Sequence, residues 1–232
     1  MYFESEKSLI DYMKDKPDLN CLVIENSPLT SLPDLPDTVC YVKVKNCIGL
    51  SRFPVLPNSV YYLEVEDCHG LTDFQNLPTM LTDLRITNCS SLINLPPALT
   101  GMVTHVKFTS CPLLRSIPTL SDTLINLWVC DCGGLTNFPT LPSTLIYLRV
   151  FGCHGLTDLP ALPNKLAYLV VNNSGVTSLP AFPESLLDLV VHKCRGLRSC
   201  PTVPSSVVYA DISECPALEN VPVMPNSAGK AN

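Results

Sequence analysis

Between Ser27 and Cys215 one position of the chain returns at almost constant intervals. Ser27, Cys47, Cys68, Cys89, Cys111, Cys132, Cys153, Ser174, Cys194 and Cys215 are separated by 20, 21, 21, 22, 21, 21, 21, 20 and 21 residues. The surroundings recur with it. Around Cys153 they read Leu148-Arg149-Val150-Phe151-Gly152-Cys153-His154-Gly155-Leu156-Thr157-Asp158-Leu159-Pro160-Ala161-Leu162-Pro163. A unit this short cannot bury its own apolar face. It must stack on its copies, so the whole chain is one coil in which each turn touches only its neighbours.

Within each unit two inward apolar residues stand two apart, as in Leu22 and Ile24, Leu84 and Ile86, Leu148 and Val150, or Ala210 and Ile212. Period two is the pattern of a half-buried strand. A further apolar residue precedes each pair by three positions, from Leu19 and Val39 through to Val207. Because every unit returns the chain to the same starting edge, these strands form a parallel sheet. The return path is an LPxLP segment such as Leu32-Pro33-Asp34-Leu35-Pro36 or Phe138-Pro139-Thr140-Leu141-Pro142. Prolines three apart fix φ and remove donors, which makes this side extended or polyproline-like rather than α-helical. Period, strand and return path together are the signature of a leucine-rich repeat solenoid. Its ten repeats occupy residues 19–225. The fourth has one extra residue around Leu95-Pro96-Pro97-Ala98-Leu99-Thr100-Gly101, where a local bulge of the convex side is expected.

Eight of the 12 cysteines hold the recurring position, and serine holds it in two repeats. A place open to both residues asks for a small hydrogen-bonding side chain, so the cysteines are expected to be structural thiols rather than disulfides or metal ligands. After cysteine the spacing to the next apolar residue is CxxL, as in Cys68-His69-Gly70-Leu71. After serine it is SxL, as in Ser27-Pro28-Leu29, which accounts for the two 20-residue intervals.

Residues 1–18 precede the repeats. Ser5 to Lys16 reads as a short amphipathic helix with Leu9, Ile10 and Met13 on its apolar side, stopped by Pro17, and suited to capping the open end of the core. Residues 226–232 are polar and small, and are expected to be a flexible tail. No Sec-type signal and no membrane-spanning run is visible, so a cytoplasmic location is expected. The formal net charge of −6 argues against nonspecific nucleic-acid binding.

No catalytic, cofactor or metal residues are assigned. His69 and His154 read as turn residues. His105 and Cys130 share the concave face but stand four residues out of step along their strands. His192 and Ser213 are lateral neighbours, with no carboxylate expected in line to orient the imidazole. The concave face carries more information. Lys43, Glu64 and Arg85 alternate in sign on successive strands, as do Lys45 and Glu66, an arrangement suited to cross-strand ion pairs. At its centre the sole tryptophan, Trp128, sits among Lys107, Tyr147, Arg149 and Phe151. Tyr, Trp and Arg dominate binding hot spots, and solvent-facing aromatics on a rigid sheet have no core to fill. Arg85, Lys107, Trp128, Tyr147, Arg149, Phe151 and Tyr168 are therefore the expected protein-binding residues.

The run Leu159-Pro160-Ala161-Leu162-Pro163-Asn164-Lys165-Leu166-Ala167-Tyr168-Leu169-Val170-Val171 resembles the LPxLPxxLxxLxV repeats of the leucine-rich secreted effectors of Gram-negative pathogens, the YopM and IpaH type. The resemblance extends over residues 19–225. The Cys-x-x-Leu turn instead resembles repeats of plant intracellular immune receptors. What the resemblance implies is a noncatalytic scaffold for a protein partner, acting as an effector and a virulence factor after Sec-independent secretion into a host cell. Its alternative is the substrate-recognition part of a larger ubiquitin-ligase-type enzyme or immune receptor. The roughly 18 residues before the repeats and 7 after them are expected to be too few for a catalytic domain. A monomer or weak self-association through the sheet edges is expected.

Overall fold

Alternation of apolar and polar residues produces ten five-residue strands, and the near-constant interval brings each one alongside the last. The computed structural model describes residues 1–220, 222–224 and 229–231. After helix α1 (Glu6–Lys14) come β1 (Cys21–Glu25), β2 (Tyr41–Lys45), β3 (Tyr62–Glu66), β4 (Asp83–Thr87), β5 (His105–Thr109) and β6 (Asn126–Cys130). They are followed by β7 (Tyr147–Phe151), β8 (Tyr168–Asn172), β9 (Asp188–His192), β10 (Tyr209–Ser213) and the short β11 (Gly229–Ala231). All belong to one sheet in sequence order, and the described pairings are parallel. The second and fourth residues of β1–β10 are buried throughout.

Two hydrogen-bonded turns bend most of the repeats. At the end of the LPxLP segment the proline carbonyl accepts from the amide three residues on, as in Val39 to Pro36, Val60 to Pro57 and Leu145 to Pro142. At the other end the cysteine carbonyl accepts from the leucine of CxxL, as in Leu50 to Cys47 and Leu156 to Cys153. The serine repeats have one residue fewer here and omit that turn. The convex side contains no helix among the described residues, only isolated parallel bridges such as Arg52 with Asp73 and Ser178 with Ser199. The extra residue of the fourth repeat is absorbed around Gly101, whose φ of +91° turns the chain, and Ala98 pairs with Thr119 across the convex side.

The recurring cysteine plays a uniform part. In all eight positions its Sγ donates to the carbonyl two residues earlier, at 3.4–3.6 Å. Ser174 Oγ donates to the equivalent carbonyl of Asn172 at 3.0 Å, and Ser27 Oγ to that of Glu25 at 3.3 Å. The interchange of cysteine and serine thus preserves one hydrogen bond. All twelve cysteines are free thiols. The residue before each of these positions is left-handed: Asn26, Asn46, Asp67, Asn88, Ser110, Asp131, Asn173, Lys193 and Glu214 have φ between 48° and 57°, and Gly152 has 64°. Asn and Asp tolerate this conformation best, which explains their frequency there. Their side chains continue from rung to rung, with Asn46 Nδ2 donating to Asn26 Oδ1 at 2.7 Å and Asn88 Nδ2 to Asp67 Oδ1 at 2.6 Å.

Burial pushes the Cys89 thiol up to about 12 and the Cys153 thiol up to about 11. Both remain neutral in the fold, whereas an exposed thiol ionises near 9.0. A group with a raised folded value adds its stability fully below the unfolded value and loses it as pH rises toward the folded one. Chemical denaturation across pH should therefore show stability falling above about 9, by about 1.4 kcal/mol per pH unit for each thiol. The Cys89→Ala/Cys153→Ala variant should show a shallower decline.

The helix starts at Ser5, whose Oγ accepts from Ser8 N–H while Ser8 Oγ accepts from Ser5 N–H. Leu9 is fully buried and Tyr12 and Met13 pack on the core. Ile10, expected on the apolar side, is not part of that packing. The helical phase selects positions 9, 12 and 13, and places residue 10 about 100° from Leu9, off the stripe. Beside β1, Glu25 N–H donates to Met1 O at 2.7 Å and Phe3 N–H to Ser27 Oγ at 2.8 Å, so this segment covers part of the outer edge. Of the tail expected over 226–232, Gly229–Ala231 pairs with β10, and the remaining positions lie outside the described residues.

Candidate protein-binding face

The first, third and fifth residues of each strand point away from the core, so the register aligns them in three rows along the concave sheet. In the middle row Lys43, Glu64, Arg85, Lys107, Trp128, Arg149 and Val170 are successive lateral partners. Two of the anticipated ion pairs form, Lys43 with Glu64 at 3.3 Å and Lys45 with Glu66 at 3.0 Å. The Glu66 hydrogen bond and charge raise the pKa of Lys45. Arg85 does not continue the alternation. It forms a two-toothed pair with Asp83 on its own strand, Nε to Oδ1 at 2.9 Å and Nη2 to Oδ2 at 3.1 Å. Glu64 already holds Lys43 and accepts from Tyr62 Oη at 2.8 Å. Residues two apart on one strand share a face, and Asp83 is the acid left unclaimed. Burial first, and then the Glu64 bond, raises the pKa of Tyr62.

From β4 to β8 the expected binding residues form one connected surface. Arg85, Lys107 and Trp128 line a shallow pocket of about 150 Å³ together with Asp83, His105 and Asn126. Lys107 Nζ lies 5.9 Å from the Trp128 ring. The Trp128 ring is 5.7 Å from Tyr147, which is 5.8 Å from Tyr168, giving a train of tilted rings across three strands. Arg149 sits over Phe151 at 5.8 Å. Trp128 and Tyr168 remain 38% and 37% exposed despite these lateral contacts. Arg85 and Tyr168 mark the two ends, four rungs or ~19 Å apart at ~4.8 Å per rung.

The electrostatics of this stretch are one-sided. Strands β5–β8 contain no acidic residue. Neither Lys107 nor Arg149 forms an ion pair with an acid among the described residues. Arg149 Nε is shielded from solvent and has no hydrogen-bond acceptor. Burial holds the Cys130 thiol above its ordinary value, although Arg149 and Lys107 both act to lower it. The pocket's polar lining adds Asp83, His105 and Asn126 to the binding residues expected from the sequence. Their common place in the first concave row was visible, but nothing in the sequence showed that Arg85 would turn toward them.

A second cluster corrects an expectation. His192 Nδ1 is 2.8 Å from Ser213 Oγ, and Glu214 Oε1 lies 3.4 Å from Nε2, so a carboxylate does stand in line with the imidazole. Glu214 reaches it because its left-handed backbone, φ 51°, turns the side chain back toward β9. Ser213 O–H, however, donates to Asp211 Oδ1 at 2.5 Å. A hydroxyl has one proton, so the contact with His192 is an N–H donated to Ser213. That is the reverse of a base drawing a proton from a nucleophile. The network locks the ring in place. His105 and Cys130 are four positions out of step, since their lateral partners are Asn126 and Thr109.

No family model and no curated protein sequence matches the chain. Solved leucine-rich repeat structures share its fold, two of them effectors. The leucine-rich effector protein YopM from Yersinia pestis aligns with a TM-score of 0.54 at 21% identity, covering 90% of this chain and 76% of that one. The leucine-rich repeat domain of the type III effector XopL aligns with a TM-score of 0.58 at 17% identity, covering 95% and 79%. At these identities the likeness is one of fold: the chain is a leucine-rich repeat solenoid that resembles the YopM type. No helix among the described residues is long and apolar enough to cross a membrane.

Proposed function

We propose that this chain is a noncatalytic scaffold that holds a protein partner on its concave sheet, with Arg85, Lys107, Trp128, Tyr147, Arg149, Phe151 and Tyr168 as the contact residues. The observation that carries this reading is the half-exposed ring train from Trp128 to Tyr168, flanked by two cations without an acid partner. Rings and guanidinium groups presented on rigid strands lose little conformational freedom on binding, which makes them efficient anchors. The sheet that presents them is fixed by the repeated core and does not depend on these residues. They are therefore free to specify a partner. YopM and XopL, two of the solved structures with this fold, are effectors, which supports a corresponding role here, in which the partner belongs to a host cell and the chain reaches it by a Sec-independent route.

The test compares capture of proteins from host-cell lysate by the wild-type chain and by three variants. Trp128→Ala and Arg149→Ala should each weaken retention of the same captured protein by about tenfold or more, equivalent to about 1.4 kcal/mol. Val55→Ser, on the exposed convex side, should retain it fully. Unchanged capture by both concave variants, with circular dichroism showing intact folding, would overturn the proposal.

A further inference from the structure

We infer that the partner segment is acidic and of polyproline-II form, with two carboxylates three residues apart that engage Lys107 and Arg149 while the stretch between them passes over Trp128. This rests on the binding reading above and adds the chemistry of the occupant.

The middle concave row supplies the argument. Arg85 and Lys107 are direct lateral partners, as are Lys107 with Trp128 and Trp128 with Arg149. Like charges placed opposite one another destabilise a sheet. Arg85 is relieved by its pair with Asp83, but Lys107 has the ring of Trp128, and Arg149 the ring of Phe151 and the Cys130 thiol, and none of these is a carboxylate. The Arg149 Nε is also short of an acceptor. The nearby acids, Asp83 on β4 and Asp131 just after β6, form no ion pair with Lys107 or Arg149, although the whole chain carries a formal −6. A local cationic patch in an acidic protein is a selective feature, because the rest of the surface repels the ligand that the patch attracts.

Spacing narrows the ligand further. Lys107 and Arg149 are two rungs apart, ~10 Å at ~4.8 Å per rung. A polyproline-II segment has three residues per turn and advances ~3.1 Å per residue, so carboxylates at i and i+3 share a face and stand ~9 Å apart. Such a segment crosses the strands rather than adding to an edge. The stretch between the carboxylates passes over Trp128, and apolar residues there gain most from that ring. The pocket lined by Arg85, Lys107, His105 and Asn126 has cationic and amide donors for the first carboxylate, and its one acid, Asp83, is already paired with Arg85.

Because Trp128 is the only tryptophan, its fluorescence reports binding at this place without a label. The probes are capped peptides containing Glu-Leu-Leu-Glu, Gln-Leu-Leu-Gln, Glu-Leu-Leu-Leu-Leu-Glu, or a phosphoserine in place of each glutamate. The Glu-Leu-Leu-Glu peptide should shift Trp128 emission saturably. The glutamine peptide and the longer spacing should each bind about tenfold more weakly or worse. Lys107→Glu/Arg149→Glu should abolish the preference and favour Lys-Leu-Leu-Lys instead. Equal affinity for the glutamine peptide, indifference to the double charge reversal, or binding of the phosphopeptide alone would overturn the inference. Absence of all peptide binding would overturn it too. In that case capture that still depends on Trp128 keeps the scaffold reading, and capture that does not depend on it removes both.

Discussion

Phe108→Ala lowers the stability of the chain by about 3–5 kcal/mol, the largest loss expected from any single truncation of the inward strand positions. The reason lies in the unequal repeats. At the fourth position of the other nine strands β1–β10 stand Ile or Val, and only β5 has a phenylalanine. It lies in the one 22-residue interval, from Cys89 to Cys111. Phe108 is fully buried. The longer turn of the coil is filled by a larger ring, so removal leaves a cavity that neighbouring repeats, already packed, cannot close. Phe108→Val should also be costly, even though it restores the commonest residue at this position. Urea denaturation followed by circular dichroism measures the loss. Trp128 fluorescence reads the adjoining repeat, where the loss should propagate because solenoid stability is carried by nearest-neighbour interfaces.

Gly101→Val should cost about 3 kcal/mol, from a left-handed backbone and a direct clash. Gly101 has φ +91°, and a Cβ built there would stand 1.9 Å from the Thr79 carbonyl oxygen. That atom belongs to backbone, so it cannot swing aside as a side chain would. The same two residues thus accommodate the inserted residue of the fourth repeat and fix the approach of neighbouring convex segments. Gly133 is the comparison: an added Cβ meets nothing within 4 Å, and its φ is not left-handed. Gly133→Ala should leave stability unchanged or raise it by about 0.5 kcal/mol. Thermal or urea unfolding of the two variants side by side separates conformational strain from the general effect of losing a glycine.

The architecture was legible because its determinants are periodic. Leu148 and Val150 are two apart, and the same pair recurs after each interval, so alternation defines the strands and the interval defines the register. Register in turn made the Lys43–Glu64 and Lys45–Glu66 pairs readable in advance. The convex path followed from prolines, whose conformational limits are local. What stayed hidden depends on competition among side chains or on backbone direction. Arg85 has Glu64 across the strand and Asp83 along it, and the outcome turns on Tyr62 and Lys43 occupying Glu64. Glu214 reaches His192 only through a left-handed backbone, at a position filled mostly by Asn and Asp. In the helix, Ile10 is adjacent to Leu9 in sequence but off its face, and Tyr12 takes the place on the core. Trp128 is conspicuous as the sole tryptophan, but that Lys107 and Arg149 lack ion-pair partners depends on where nearby acids such as Asp83 place their carboxylates, which a sequence does not show.

The central claim is that the concave sheet around Trp128 is where a partner sits. Placing a photoreactive benzoylphenylalanine at Tyr147 in one variant and at Val55 in another tests it directly, since Tyr147 adjoins the Trp128 ring and Val55 is exposed on the opposite side. Illumination in host-cell lysate should give a covalent adduct of one protein with the Tyr147 variant and none with the Val55 variant. An adduct formed from Val55 alone would contradict the account.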